Sequence, residues 1–207
     1  SDKYALDAFE ARNGEQVVTV CAAGRTSLIA ADLLRQRGIE AISLAGGMKA
    51  WSLAWNTATI HLQGSPTEVI QVRRTGKGCL SYLIGSDSKA VVIDASLDPS
   101  VYEKLAAERG WTITRVLDTH IHADHLSRSR MLAGATSATL HLPVQDRVRF
   151  PFAPLSGGDV LQVGRARIAV LAVPGHTNES MAYSLDDRAI FTGETVFLAS
   201  FGRPGLE

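Results

Sequence analysis

Short apolar runs and one clear helical repeat organise the first fifty residues. Gln16-Val-Val-Thr-Val-Cys21 is rich in β-branched side chains and predicts a buried strand. The turn Ala22-Ala-Gly-Arg25 follows it. Leu28, Ala31, Leu33 and Leu34 then fall at helical spacing, which predicts a helix over 28–37 with Thr26 or Ser27 as its cap. Gly38 stops that helix, Glu40-Ala-Ile-Ser-Leu44 predicts a second strand, and Gly46-Gly47 opens a short helix ending near Trp51. A strand, a helix and a strand imply a parallel pair joined by a crossover.

Residues 57–67 are polar, carry Gly64-Ser65-Pro66 and read as a linker between a segment over 1–56 and a larger domain over 68–207. Strands are expected at 69–73, 79–84, 90–94, 113–117, 137–142, 160–163, 168–173, 180–185 and 189–192. Asp98-Pro99 predicts a capped helix start, with the helix running to about Arg109, and a further helix is expected near 126–132. Sheets with interleaved helices imply a layered α/β sandwich.

Composition narrows the function classes. Of 207 residues, 45% are hydrophobic and 20% charged, which fits a globular chain and excludes disorder. Lys plus Arg and Asp plus Glu each number 21, so charge gives no case for nucleic acid or an anionic membrane. Two cysteines cannot build a disulfide framework, there is no 18-residue apolar run, and Ser-Asp-Lys-Tyr has no signal-peptide pattern. The expected location is the cytoplasm.

The chemistry concentrates in three places where predicted strands end. Thr119-His120-Ile-His122-Ala-Asp124-His125 puts three imidazoles and a carboxylate within six positions, Pro174-Gly175-His176-Thr177 adds a fourth histidine, and Thr192-Gly193-Glu194 adds a carboxylate. Imidazole with carboxylate suits zinc, iron and manganese, so a metal site is expected. These motifs resemble those of the metallo-β-lactamase superfamily over residues 61–207. The resemblance implies an αββα sandwich, C-terminally incomplete here, with the metal at one sheet edge. Ala123 within the histidine motif and Gly202-Arg203-Pro204 after the carboxylate are more similar to persulfide dioxygenases than to glyoxalase II. The dioxygenase resemblance implies one Fe(II) on His120, His176 and Glu194, with His122, Asp124 and His125 as neighbours. The glyoxalase II resemblance implies zinc, with His120, His122 and His176 at one metal and Asp124 and His125 at a second. Glu194 stands where the family usually has Asp, and the final histidine of a dinuclear site is not in the sequence. Asp94 and Asp118 end strands and are expected to orient ligands. Arg128 and Arg130, just after the motif, are expected either to meet an anionic substrate or to lie on a solvated helix face.

Cys21-Ala-Ala-Gly24-Arg25-Thr26-Ser27 lies between a strand and a helix, where loop N–H groups favour a thiolate; a buried strand-end cysteine is the alternative reading of the residues alone. With Leu44-Ala-Gly-Gly47-Met-x-Ala50-Trp51 it resembles the active loop and C-terminal signature of a rhodanese, here a partial αβα unit. That resemblance implies Cys21 as a persulfide carrier, with Arg25 beside the position where many rhodaneses carry Arg. Cys79 reads as a core thiol within a strand. The two resemblances together imply oxidation of glutathione persulfide or a related small persulfide to sulfite, coupled to sulfur transfer. Thioester hydrolysis and metal binding without turnover are the alternatives. The sequence leaves the oligomeric state open, with a homodimer as one candidate.

Overall fold

The computed structural model describes residues 9–11, 14–122, 127–197 and 199–203. It forms two compact units, Ser1–Trp55 with Arg74–Gly78, and Asn56–Arg73 with Cys79–Glu207.

In the first unit, β1 (Val17–Thr19) and β2 (Ala41–Ser43) pair in parallel, and α1 (Arg25–Gln36) connects them. Ala31 and Leu34 of α1 bury against Ala41, with Val17 and Ile39 alongside. The cap differs from the expected one. α1 starts three residues earlier than predicted, on Gly24 in the left-handed region (φ 78°), and no side chain caps it. Ser27 is instead turned toward Cys21. The short helix α2 (Gly47–Trp51) begins where Gly47 passes against the cysteine loop. A Cβ at Gly47 would lie 2.1 Å from the Cys21 carbonyl oxygen, so only glycine permits this approach. Met48 N–H and Lys49 N–H then donate to the carbonyls of Cys21 and Ala22 at 2.9 and 3.0 Å.

The second unit holds two sheets. One has seven strands in the order β3 (Trp55–His61), β4 (Glu68–Arg74), β5 (Leu80–Ser86), β6 (Lys89–Ile93), β7 (Thr112–Leu117), β8 (Thr139–Pro143) and β9 (Ala153–Leu155). The other is the antiparallel series β10 (Val160–Val163), β11 (Ala166–Ala172), β12 (Met181–Leu185) and β13 (Ala189–Phe191). From β6 to β9 the pairing is parallel, so these strands need cover on both faces. β6 shows how they obtain it. Ala90 and Val92 join the core under α3 (Pro99–Ala107) and α4 (Ser129–Thr136), while Val91 and Ile93 join the core shared with Ile168, Val170 and Tyr183 of the second sheet. Successive strand residues face opposite ways, which is why an unbroken apolar run serves two cores. Each fully buried aliphatic side chain contributes roughly 1.5–3 kcal/mol.

α3 begins as predicted, with Asp98 Oδ1 accepting from Ser100 N–H at 3.0 Å and Pro99 in the first turn. The segment read as a linker is not one throughout, because residues 57–61 belong to β3. α4 starts later than the expected helix, and β9 has no counterpart among the predicted strands. Cys79 is half-buried just ahead of β5 rather than a core residue. Of the αββα sandwich that the resemblance implies, the described residues supply one helical layer and both sheets. No described helix is long and apolar enough to cross a membrane.

Candidate metal centre and cysteine loop

Three strand ends deliver the donors. His120 follows β7, His176 follows β11 and Glu194 follows β13. One ligand atom from each lies within 4.8 Å of the others. His120 is 2% exposed and His176 is 7% exposed, and their rings stand edge to face with centroids 4.9 Å apart.

The surrounding hydrogen bonds fix which ring nitrogens are available. Asp94, at the end of β6 with φ 53°, accepts Thr119 N–H at 2.7 Å and the Thr119 hydroxyl at 2.9 Å. That hydroxyl has spent its proton on Asp94, so the contact of 3.0 Å to His120 Nδ1 is an N–H donating to Thr119 Oγ1. Nε2 of His120 therefore carries a lone pair, and it is buried with no hydrogen-bond partner. An orphaned buried acceptor of this kind fits a metal ligand. At His176 the Nδ1–H donates to the Arg203 carbonyl at 2.9 Å, leaving Nε2 3.2 Å from Glu194 Oε2. Two acceptors this close are satisfied by a proton shared between them or by a metal ion that both ligate. The residues present thus fit a metal ion.

Charge at the centre follows from burial and pairing. Burial, then the charge on His122, push His120 down to about 4, which keeps it neutral and able to ligate at pH 7. His122 lies beside Asp94, with Nε2 3.4 Å from Oδ1. Burial opposes its charge, but the Asp94 carboxylate overcomes this and raises it to about 9. Burial likewise opposes ionisation of Asp94, and His122 and the Thr119 N–H outweigh it, so its carboxyl sits below the usual range. Asp118 is pushed up to about 6 by burial and by the charge on Asp94. It is held by the hydroxyls of Ser127, at 2.9 Å, and Ser129. One ligand atom each of Asp94, Asp118 and His122 also lies within 4.8 Å of the others.

Asp124 and His125 lie outside the described residues. Arg128 directs Nη1 to Met131 Sδ at 3.3 Å. The reading from sequence missed Thr119, which is the relay between Asp94 and His120. It also missed the Arg203 carbonyl, which orients His176, and Tyr183, whose hydroxyl donates to the Asp118 carbonyl at 2.7 Å. Thr119 is adjacent to the motif and was open to that inference. The other two depend on distant segments meeting.

In the first unit, Cys21 Sγ accepts from Gly24 N–H at 3.1 Å, Ser27 Oγ–H at 3.2 Å and Ser27 N–H at 3.4 Å. Ser43 Oγ donates in turn to Ser27 Oγ at 2.9 Å. The Ser27 hydroxyl is the largest of several donors that lower the Cys21 thiol to about 5. Arg25 is exposed at the first position of α1. Iodoacetamide alkylation of Cys21, followed by peptide mass spectrometry, should pass half its maximal rate near pH 5 and then stay flat. In Ser27→Ala the midpoint should rise by about one unit or more, and an unchanged midpoint would exclude the hydroxyl as the cause.

A family model described as the metallo-beta-lactamase superfamily matches residues 74–206. Hydroxyacylglutathione hydrolase of Rhodopseudomonas palustris (strain BisB18) is 38% identical over 132 residues, covering 61% of this chain and 51% of its own. The protein of the same name from Methylococcus capsulatus (strain ATCC 33009 / NCIMB 11132 / Bath) is 39% identical over 122 residues, covering 58% and 47%. The chain thus spans about half the length of the curated relatives it matches. Among solved structures, ETHE1 from Myxococcus xanthus is similar with a TM-score of 0.56 and 32% identity, over 72% of this chain and 61% of that one. A metallo-beta-lactamase from Staphylococcus aureus subsp. aureus COL gives a TM-score of 0.59 and 29% identity, over 74% and 47%.

Proposed function

The chain belongs to the metallo-beta-lactamase superfamily, and from that premise we propose that it is a metalloenzyme acting on a glutathione-type thiol that carries a group on its sulfur. His120, His176 and Glu194 hold the metal. The observation that carries this reading is their convergence within 4.8 Å, with His120 Nε2 buried and unpartnered. A metal bound there supplies Lewis acidity and open positions for substrate. The chain's own residues do the rest. Asp94 and Thr119 set the tautomer and direction of His120, the Arg203 carbonyl does the same for His176, and Arg128 is available to an anionic substrate.

Two chemistries suit that substrate. Thioester hydrolysis comes first, because the curated relatives at 38% and 39% identity are named for it. In that reading Asp124 and His125 serve a second metal, and zinc is the expected ion. Persulfide oxidation by a single Fe(II) comes second. It is supported by the motif resemblance to persulfide dioxygenases, by the likeness to ETHE1, and by the placing of His122 against Asp94 at 3.4 Å. The Cys21 loop suits the second reading as well. Its thiolate attacks the outer sulfur of a persulfide, the donor leaves as a thiolate, and Cys21 keeps the sulfur as its own persulfide.

One pair of assays separates the chemistries. Zinc-loaded protein should cleave a hydroxyacyl thioester of glutathione, followed by the loss of thioester absorbance, and should take up no oxygen. Oxygen uptake by iron-loaded protein that requires glutathione persulfide, without thioester cleavage, would establish the second chemistry instead. The absence of both activities in fully metallated protein would overturn the proposal.

A further inference from the structure

The loop that carries His176 also grips the peptides on both sides of His120. Met181 N–H, at the loop's exit, donates to the Thr119 carbonyl at 2.8 Å. Glu179 Oε1 accepts the Ile121 N–H at 3.2 Å. His120 is thus bracketed by one bond before it and one after it, both from the same segment. That segment is itself cross-braced. Thr177 N–H donates to Ser180 Oγ at 3.0 Å, the two hydroxyls lie 2.8 Å apart, and Gly175 N–H donates to the Thr177 carbonyl at 3.1 Å. Glu179 keeps only 9% of its side-chain exposure, so its carboxylate needs a countercharge, and Arg147, from the segment between β8 and β9, ion-pairs with the same Oε1.

We propose that Glu179 is a positioning residue that locks the backbone of His120 to the loop of His176, with Arg147 holding Glu179 in place. Its effect on metal affinity rests on the metal-site reading above, whereas its effect on the backbone does not. A main-chain clamp suits this position because His120 is already oriented at its ring by Thr119. What remains is the direction of the peptide that carries it. The spacing between two ligands from different strand ends is then held by this carboxylate together with the Met181 N–H bond.

The test uses the whole chain in four forms: wild type, Glu179→Gln, Glu179→Ala and Arg147→Ala. Amide hydrogen exchange on metal-free protein, read on peptides spanning 118–122, should accelerate about tenfold in Glu179→Ala. Peptides from β6 and β12 should stay at the wild-type rate. Glu179→Gln retains an acceptor oxygen for Ile121 N–H and should recover most of the protection, while Arg147→Ala should fall between. Zinc affinity by chelator competition should follow the same order, with Glu179→Ala weaker by about 10–100-fold. Unchanged exchange at 118–122 in Glu179→Ala would overturn the clamp. So would acceleration spread evenly through the domain, or Glu179→Gln behaving as badly as alanine. If the wild type binds no zinc, the metal reading fails, and the exchange data still decide the clamp.

Discussion

Replacing His120 by alanine is expected to strip the centre of metal while the two sheets stay folded. Elemental analysis of anaerobically purified wild type should give about one metal per chain or more, and His120→Ala less than about a tenth of that. Loss of a ligating residue should exceed the roughly 10–100-fold cost of losing a residue that only orients one, so turnover of whichever substrate proves active should drop by more than about 100-fold. Two effects need separating, since His120 is fully buried and alanine also leaves a cavity. His120→Gln keeps much of the volume but lacks the imidazole lone pair, and it should lose metal to the same extent with a smaller loss of stability. For a metal site that exists only in the folded chain, zinc at a hundred times its Kd should stabilise the wild type by about 2.7 kcal/mol and leave both variants unmoved. A His120→Ala protein that retains a full equivalent of metal would remove His120 from the ligand set.

The same residues show how far the sequence could be read. β6 was legible as a strand because it is a short apolar run rich in β-branched residues, and the structure sets it between two cores. α3 was legible because Asp98 and Pro99 act locally, through a cap and a fixed φ. The three strand-end motifs were legible as groups of metal-ligating side-chain types. Their meeting within 4.8 Å was implied by the family resemblance, and no local pattern dictates it. What escaped was tertiary in origin. The segment over 57–61 looks polar because it is an exposed strand, and its pairing in the seven-stranded sheet is not written in its own composition. Ser27 looks like a helix cap by position, but the left-handed Gly24 starts the helix early and frees Ser27 for Cys21. The Arg203 carbonyl and Glu179 act through a backbone oxygen and across 58 residues of chain, respectively. Neither leaves a spacing signal.

Gly193→Ala should be a damaging single-methyl change near the centre, and the reason is geometric. Gly193 has φ 53°, and a Cβ there would lie 2.4 Å from Thr119 Oγ1 and 2.8 Å from Thr119 Cβ. An alanine therefore meets two penalties at once, the left-handed backbone and a collision with a buried side chain. Thr119 cannot simply turn away, because its hydroxyl and N–H are both committed to Asp94 and the hydroxyl also receives His120 Nδ1–H. Relief must come from moving Glu194, the next residue, or from breaking the relay that orients His120. Either outcome pulls apart two of the three converging donors. The expected cost is about 2–4 kcal/mol in denaturant unfolding of the metal-free protein, with zinc affinity falling by about tenfold or more. Gly175→Ala is the matched control. It lies next to His176, has no atom within 4 Å of its would-be Cβ and does not have a left-handed φ. That variant should stay within about 0.5 kcal/mol of wild type. Gly193→Ala with wild-type stability and zinc affinity would mean that the Thr119 relay is not what holds His120 and Glu194 in register.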